Sequence, residues 1–259
     1  MLHIHPGVPK QPHVHVLGDF AGQAAQMIAD AILKTIAQRG RCRIGLAGGE
    51  AAGAVYSQLG HLLPAHAYPQ LFVTWTDEPV LPEVGQKPGD WQPFAPASNL
   101  RTAYAAWLSK VAMPHENVLP LSLSGDARTE LRRFGQAFQE RFDGGLDIAL
   151  LDLGEDGRVA SLFPGHPALD VDDIALAVHD SPEPPAARIS LTIPVLKQAE
   201  TLIILARGRA KADVADRATR ADPALPVSRL LDRARLYLLL DAPAAKTLVS
   251  RTLDAMTPE

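Results

Sequence analysis

Cysteine is almost absent from this chain. Cys42 is the only one in 259 residues, which excludes an internal disulfide framework and any multi-cysteine metal site and suits a reducing compartment. An excess of either charge is also missing. The 25 Lys and Arg against 29 Asp and Glu leave a formal net charge of −4, with the two signs interspersed. No basic stripe points to nucleic acid and no basic amphipathic helix to a membrane surface, so small molecules are the default partners. No apolar run reaches the ~20 residues needed to span a bilayer, and the opening MLHIHPGVPKQPHVHV lacks the apolar core of a secretory signal. These absences point to a soluble cytoplasmic protein whose residues 1–12 form a flexible lead-in. His3, His5, His13, His15 and His61 fall outside any metal-ligand spacing, and no metal is expected. Repeats and polar linkers are absent as well.

What is present is an alternation of strand-like and helix-like stretches. His13 to Leu17 reads as a strand. Phe20 to Arg39 carries apolar residues at helical spacing, with Gly40 as the stop. Arg43 to Ala47 is a short apolar run, Gly48-Gly49 a turn, and Glu50 to Leu63 a helix. Leu71 to Trp75 is a third strand, ending in Thr76, Asp77 and Glu78. A Pro/Gly-rich segment follows to Ala97, and Ser98 caps a helix expected through Lys110. Asn117 to Leu121 reads as a short strand and Asp126 to Phe142 as an amphipathic helix. Beyond these come strands at Ile174 to Val178, Arg188 to Ile193, Thr201 to Ala206 and Leu236 to Leu240. Helices open at Pro194, span Gly208 to Arg220 and close the chain. The alternation predicts an α/β fold: a single three-layer αβα domain, a Rossmann-like mostly parallel sheet with helices on both faces.

The stretch LDIALLDLGEDGRVASLFPGHPALD, Leu146 to Asp170, is the centre of this pattern. It begins as a continuous apolar run, as a strand buried on both faces does, and breaks at Gly154 and Gly157 with Glu155 and Asp156 between them. Ligand groups collect in the loop beyond the carboxyl end of such a strand. Gly48-Gly49, between a strand and a helix, is either a plain turn or an anion site built from free N–H groups. It is neither a dinucleotide fingerprint nor a P-loop. Asp77 and Glu78 are either an acid pair that meets a ligand hydroxyl or solvated and capping acids. Arg188 and Lys211 are either a phosphate grip or surface charge.

Seven ordered motifs carry a more specific resemblance. LAGGEAAGAVYSQL is similar to an LSGGSTP-type turn, VTWTDEP to a WxDER strand, SNLR to SNYR, and GEDGRVASLFPG to GEDGHTASLFPG. PPAARISLTIPVL is similar to PPxRITLT, ARGRAKADV to TGxxKA, and LPVSRLL to an LPAS-type segment. These resemble the 6-phosphogluconolactonase family, which shares its fold with glucosamine-6-phosphate deaminases. SLFPG resembles the lactonase branch, where the deaminases carry IAFNEPG. The resemblance implies hydrolysis of 6-phosphoglucono-δ-lactone to 6-phosphogluconate in the pentose phosphate pathway, without metal or cofactor, by a monomer or homodimer. It assigns Asp77, Glu78, Asp156 and the position of Arg158 to catalysis. Gly48, Gly49, Arg101, Gly154, Gly157, Arg188 and Lys211 fall to substrate binding.

Three departures accompany the match. Arg158 stands where the family has a histidine proposed as base, and a guanidinium that stays protonated accepts no proton. Pro79 replaces the arginine of WxDER, and Glu50-Ala51-Ala52 replaces the residues after the glycine pair. Two readings are therefore open. One is a lactonase that recruits Asp77, Glu78 or His166 as its base. The other is a catalytically impaired homologue that binds a sugar phosphate or a partner protein.

Overall fold

A computed structural model describes residues 12–80, 98–121, 127–231 and 235–256. The expected lead-in therefore falls outside the described residues up to position 11, and so does the Pro/Gly-rich segment from 81 to 97. Six strands form one parallel sheet: β1 (His13–Leu17), β2 (Cys42–Leu46), β3 (Leu71–Trp75), β5 (Ile148–Asp152), β8 (Thr201–Ala206) and β9 (Leu236–Asp241). Their spatial order is β1-β9-β8-β5-β2-β3. Every β5 residue but the last is buried, as expected of a central parallel strand covered by helices on both faces.

The helices follow from local signals. α1 (Phe20–Arg39) starts where the Asp19 carboxylate accepts the Gly22 N–H and stops at Gly40 in the left-handed region. Its buried stripe of Phe20, Ala24, Ile28, Ile32 and Ile36 follows the helical period. α2 (Gly49–Leu62) packs against α1 and beside α3 (Asn99–Ala106), which Ser98 caps by accepting the Arg101 N–H at 3.1 Å. α4 (Ala127–Phe142) buries Phe134, Phe138 and Phe142 in one row. α5 (Ile193–Gln198), α6 (Ala212–Thr219) and α7 (Lys246–Met256) complete the set, and one continuous apolar cluster joins the layers.

Four features differ from the sequence reading. The chain forms a second, antiparallel sheet of order β4-β7-β6, from β4 (Asp77–Pro79), β7 (Arg188–Leu191) and β6 (Ala175–Val178). β4 is too short for any periodicity and ends in Pro79, which is tolerated because β4 is an edge strand. The strand expected at Asn117 to Leu121 is reduced to one parallel bridge, Val118 to Val73. There the Asn117 amide donates to the carbonyls of Tyr68 and Pro69, which holds the chain as a loop. The helix after Ser98 ends at Ala106, followed by a separate 3₁₀ turn at Leu108–Lys110. The helix expected from Gly208 begins as a 3₁₀ turn at Arg209–Lys211, because Gly208 adopts φ +92° while its N–H donates to the Asp241 carboxylate. Thr76 joins the two sheets: its N–H and hydroxyl donate to Leu46 O, and its carbonyl accepts the Leu191 N–H.

Candidate active site

The strand order places the site. From β2 the chain runs outward to β3, whereas β5, β8, β9 and β1 lie on the other side, so the order reverses between β2 and β5. Beyond the carboxyl ends at such a reversal the loops diverge and leave a crevice. Gly48 and Gly49 after β2, and Asp152, Gly154, Arg158 and Ala160 from the end of β5 onward, line one wall. Asp77, Pro79 and Arg188 of the small sheet, with Asn99, Pro184 and Pro185, line the other.

Both glycines are required by contact geometry. Gly49 opens α2 at φ +92°, and a Cβ there would sit 3.1 Å from Asp152 Oδ2. A Cβ on Gly48 would lie 1.8 Å from Asn99 Oδ1. The turn is anchored beneath by the Tyr56 hydroxyl, which donates to Ala47 O at 2.7 Å. After β5 the loop closes on itself, with Gly157 N–H to Gly154 O and Gly154 N–H to Arg158 O, both 2.9 Å.

The carboxylates differ in how they are occupied. Asp77 accepts from Ser161 Oγ at 2.7 Å and from Asn99 Nδ2 at 3.2 Å, and Arg188 Nη1 lies 3.9 Å away. Burial raises its pKa against the Ser161 hydrogen bond and the nearby Arg188 and Arg158 charges. Glu78 turns away from the cleft and accepts the Asn99 and Leu100 N–H groups at 3.1 and 2.9 Å, so it caps α3. Burial pushes its pKa up to about 8, against its hydrogen bonds to Ser98, Leu100 and Asn99. Asp156 accepts the backbone N–H of Arg158 at 3.1 Å and touches its guanidinium at 3.3 Å. Asp152 accepts no hydrogen bond among the described residues, and burial raises its pKa to about 6 against the charges of Lys211 and Arg158.

The cations are arranged around these acids. Arg158 faces the cleft, stacks over the Phe163 ring at 5.3 Å, and makes a bidentate pair with Glu183 at 2.7 and 2.6 Å. Arg188 is held by Ser181 Oγ at 3.2 Å and Pro184 O at 3.3 Å, leaving Nη1 toward Asp77 and the cleft. Lys211 ends the 3₁₀ turn after β8 and acts on Asp152 electrostatically without lining the cleft.

The structure thus gathers Gly48, Gly49, Asp77, Gly154, Arg158 and Arg188 in one cleft. Asp156 and Gly157 stand behind it in the loop, Glu78 serves α3, and the Arg101 side chain is exposed on α3 away from the lining. Glu50 is exposed and pairs with Arg207 at 3.2 Å. Asp152, Asn99 and Ser161 carry no site role in the sequence reading, although Asn99 and Ser161 lie within the SNLR and GEDGRVASLFPG motifs. Asp152 closes an apolar run and reads as strand, while Asn99 and Ser161 needed the second sheet to come into range of Asp77. His166 lies elsewhere: Nδ1 accepts the Ala168 N–H, Nε2 meets Asp180 at 2.8 Å, and the ring lines a separate cavity of about 510 Å³. That cavity is larger than the cleft, but its Arg229 is already engaged by Asp170 and Leu169 O.

Fold and cleft together define a doubly wound α/β protein with a polar, cation-walled site at its switch point. The family model described as glucosamine-6-phosphate isomerases/6-phosphogluconolactonase matches residues 18–238. A 6-phosphogluconolactonase of Rattus norvegicus is 33% identical over 246 residues, covering 89% of this chain and 90% of that protein. One from Synechocystis sp. is 32% identical over 237 residues, covering 87% and 92%. The crystal structure of 6-phosphogluconolactonase from Thermotoga maritima superposes with a TM-score of 0.77 at 19% identity over 89% of this chain and 99% of that one, a likeness of fold. The chain belongs to the glucosamine-6-phosphate isomerase/6-phosphogluconolactonase family.

Proposed function

We propose that this protein is a 6-phosphogluconolactonase, which opens the ring ester of 6-phosphoglucono-δ-lactone with water. The observation that supports this most directly is the composition of the cleft. Arg188 and the N–H groups at the start of α2 supply anion donors, Arg158 adds a guanidinium shared with Glu183, and Asp77 and Asp152 supply carboxylates within the same walls. Relatives bearing that name match nearly the whole chain.

In this reading the phosphate is held by Arg188, positioned by Ser181 and Pro184 O, with the α2 terminus adding its partial positive charge. The lactone carbonyl is attacked by water, and the tetrahedral oxyanion that forms is stabilised by N–H donors of the cleft. Asp77, fixed by Ser161 and Asn99, orients Arg188. The exchange of the family's histidine for Arg158 removes a base but leaves carboxylates in the cleft, so the lactonase reading is favoured over an impaired homologue.

The test follows acid release from the lactone with purified protein against the spontaneous rate. A rate clearly above background is expected, and no excess at micromolar enzyme overturns the proposal. Arg188→Ala should raise KM by about 10–100-fold, the value of one charged hydrogen-bond donor. A retained sugar-phosphate site without catalysis would show as thermal stabilisation by millimolar 6-phosphogluconate with no turnover. Glucosamine 6-phosphate should give no reaction.

A further inference from the structure

Asp77 and Asp152 are the carboxylates that line the cleft among the described residues; Glu155 is exposed outside the lining, and the other acids around the cleft are already engaged. Asp77 holds Ser161 and Asn99 with its two oxygens, Glu78 caps α3 with both of its own, and Asp156 accepts from the Arg158 backbone and side chain. Glu183 is spent on the two nitrogens of Arg158. Both nitrogens of His166 are bonded, at a different cavity. Asp152 is the exception. It ends β5, lines the cleft, and has Oδ2 directly above the Gly49 turn, with no donor on either oxygen among the described residues.

From this geometry we infer that Asp152 is the general base of the reaction, standing where its free carboxylate oxygen reaches a water held between the Gly48-Gly49 turn and the lactone carbonyl. The assignment rests on the lactonase reading. Asp152 takes a proton from water as the water oxygen bonds to the carbonyl carbon, and the C=O electron pair moves onto the carbonyl oxygen. As that pair returns, the ring C–O bond breaks and the leaving ring oxygen takes the proton back from Asp152. Water is consumed, the free carboxylic acid and hydroxyl are formed, and Asp152 is regenerated as carboxylate. Several properties suit the role. The side chain is buried enough to gain basicity, yet open to the cleft. It is ionised at neutral pH, since its pKa of about 6 lies below 7. Lys211 and Arg158 already act on it, so they also face the charge that develops beside it.

The experiment compares wild type, Asp152→Asn, Asp152→Glu and Asp77→Asn by background-corrected lactone hydrolysis across pH 4.5–8, with 6-phosphogluconate affinity measured separately by calorimetry. Asp152→Asn should lower kcat by about 10²–10⁴-fold, the usual contribution of a general base, while ligand affinity changes little. Wild-type kcat/KM should rise through pH about 6 and level off. The residual activity of Asp152→Asn should lack that limb, and Asp152→Glu should restore part of it. If wild type is active and Asp152→Asn keeps more than a tenth of kcat, or keeps the limb while Asp77→Asn loses it, the assignment is overturned. A wild type no faster than the spontaneous reaction sinks the lactonase reading instead. The two failures are thereby distinct.

Discussion

Two aspartates stand at opposite ends of β5, and the chain treats them in opposite ways. Asp147, just before the strand, is buried, which alone would raise its pKa. Hydrogen bonds from the Arg43 side chain and backbone, and the charges of Arg43 and Arg39, lower it below the ordinary range. The pairs are close: Arg39 Nη1 at 2.8 Å and Arg43 Nε at 3.0 Å. Asp152, closing the strand, has cations in its field but none in contact, and burial wins. Partners alone separate a carboxylate that holds the fold from one left free for chemistry. The amino end of β5 is satisfied, and its terminal carboxylate is left unpaired among the described residues.

The strongest way to break this contrast is Asp147→Asn. It removes the main partner of Arg43, whose side chain is only 14% exposed, and should cost about 3 kcal/mol of unfolding free energy by urea titration, the low end for a broken buried pair because Arg43 keeps Asp143 and Phe142 O and Arg39 is half exposed. A loss below about 1 kcal/mol would rank Asp147 with surface pairs and erase the difference between the two ends.

Asp152→Asn should do the reverse to stability. In the folded chain Asp152 holds its proton to about pH 6, whereas in the unfolded chain it releases it near its ordinary value of 3.8. Between those values the folded state binds more protons, so wild-type stability falls as pH rises through the window. The variant lacks that decline. It should match wild type near pH 3 and exceed it by roughly 1–3 kcal/mol above pH 7. A variant less stable than wild type at pH 7 would show that Asp152 is a structural partner after all.

The smallest effect is expected from Ser98→Ala, which removes the α3 cap next to Glu78. About 1 kcal/mol should be lost in thermal unfolding, with KM unchanged within about twofold. A large rise in KM would mean that α3, through Asn99, positions substrate more tightly than its cap suggests.

Much of the fold was legible because it rests on burial. β5 is a continuous apolar run, and both ends of α1 are written in Asp19, Gly40 and the stripe between them. The second sheet was not legible, since β4 has three residues and exists only by pairing with β7 across more than a hundred positions. At the site, the glycine turn and Arg188 were visible as motifs. The separate duties of Asp77 and Glu78 were not, because adjacent strand residues point to opposite faces and only the packing of α3 decides which face meets the cleft. Asp152 was hidden for the same reason that it matters. A polar residue ending an apolar run looks like a strand boundary until the absence of a donor is seen.

The pairing of Arg158 with Glu183 has one more consequence. Arg158 belongs to the loop after β5 and Glu183 to the turn before β7, so this contact is a clasp between a wall built on the large sheet and a wall built on the small one. Glu183 is exposed, and dissolved salt screens exposed charges. The mouth of the cleft is therefore fastened electrostatically, and its grip loosens with ionic strength while the Thr76 seam at its base, made of backbone hydrogen bonds, does not.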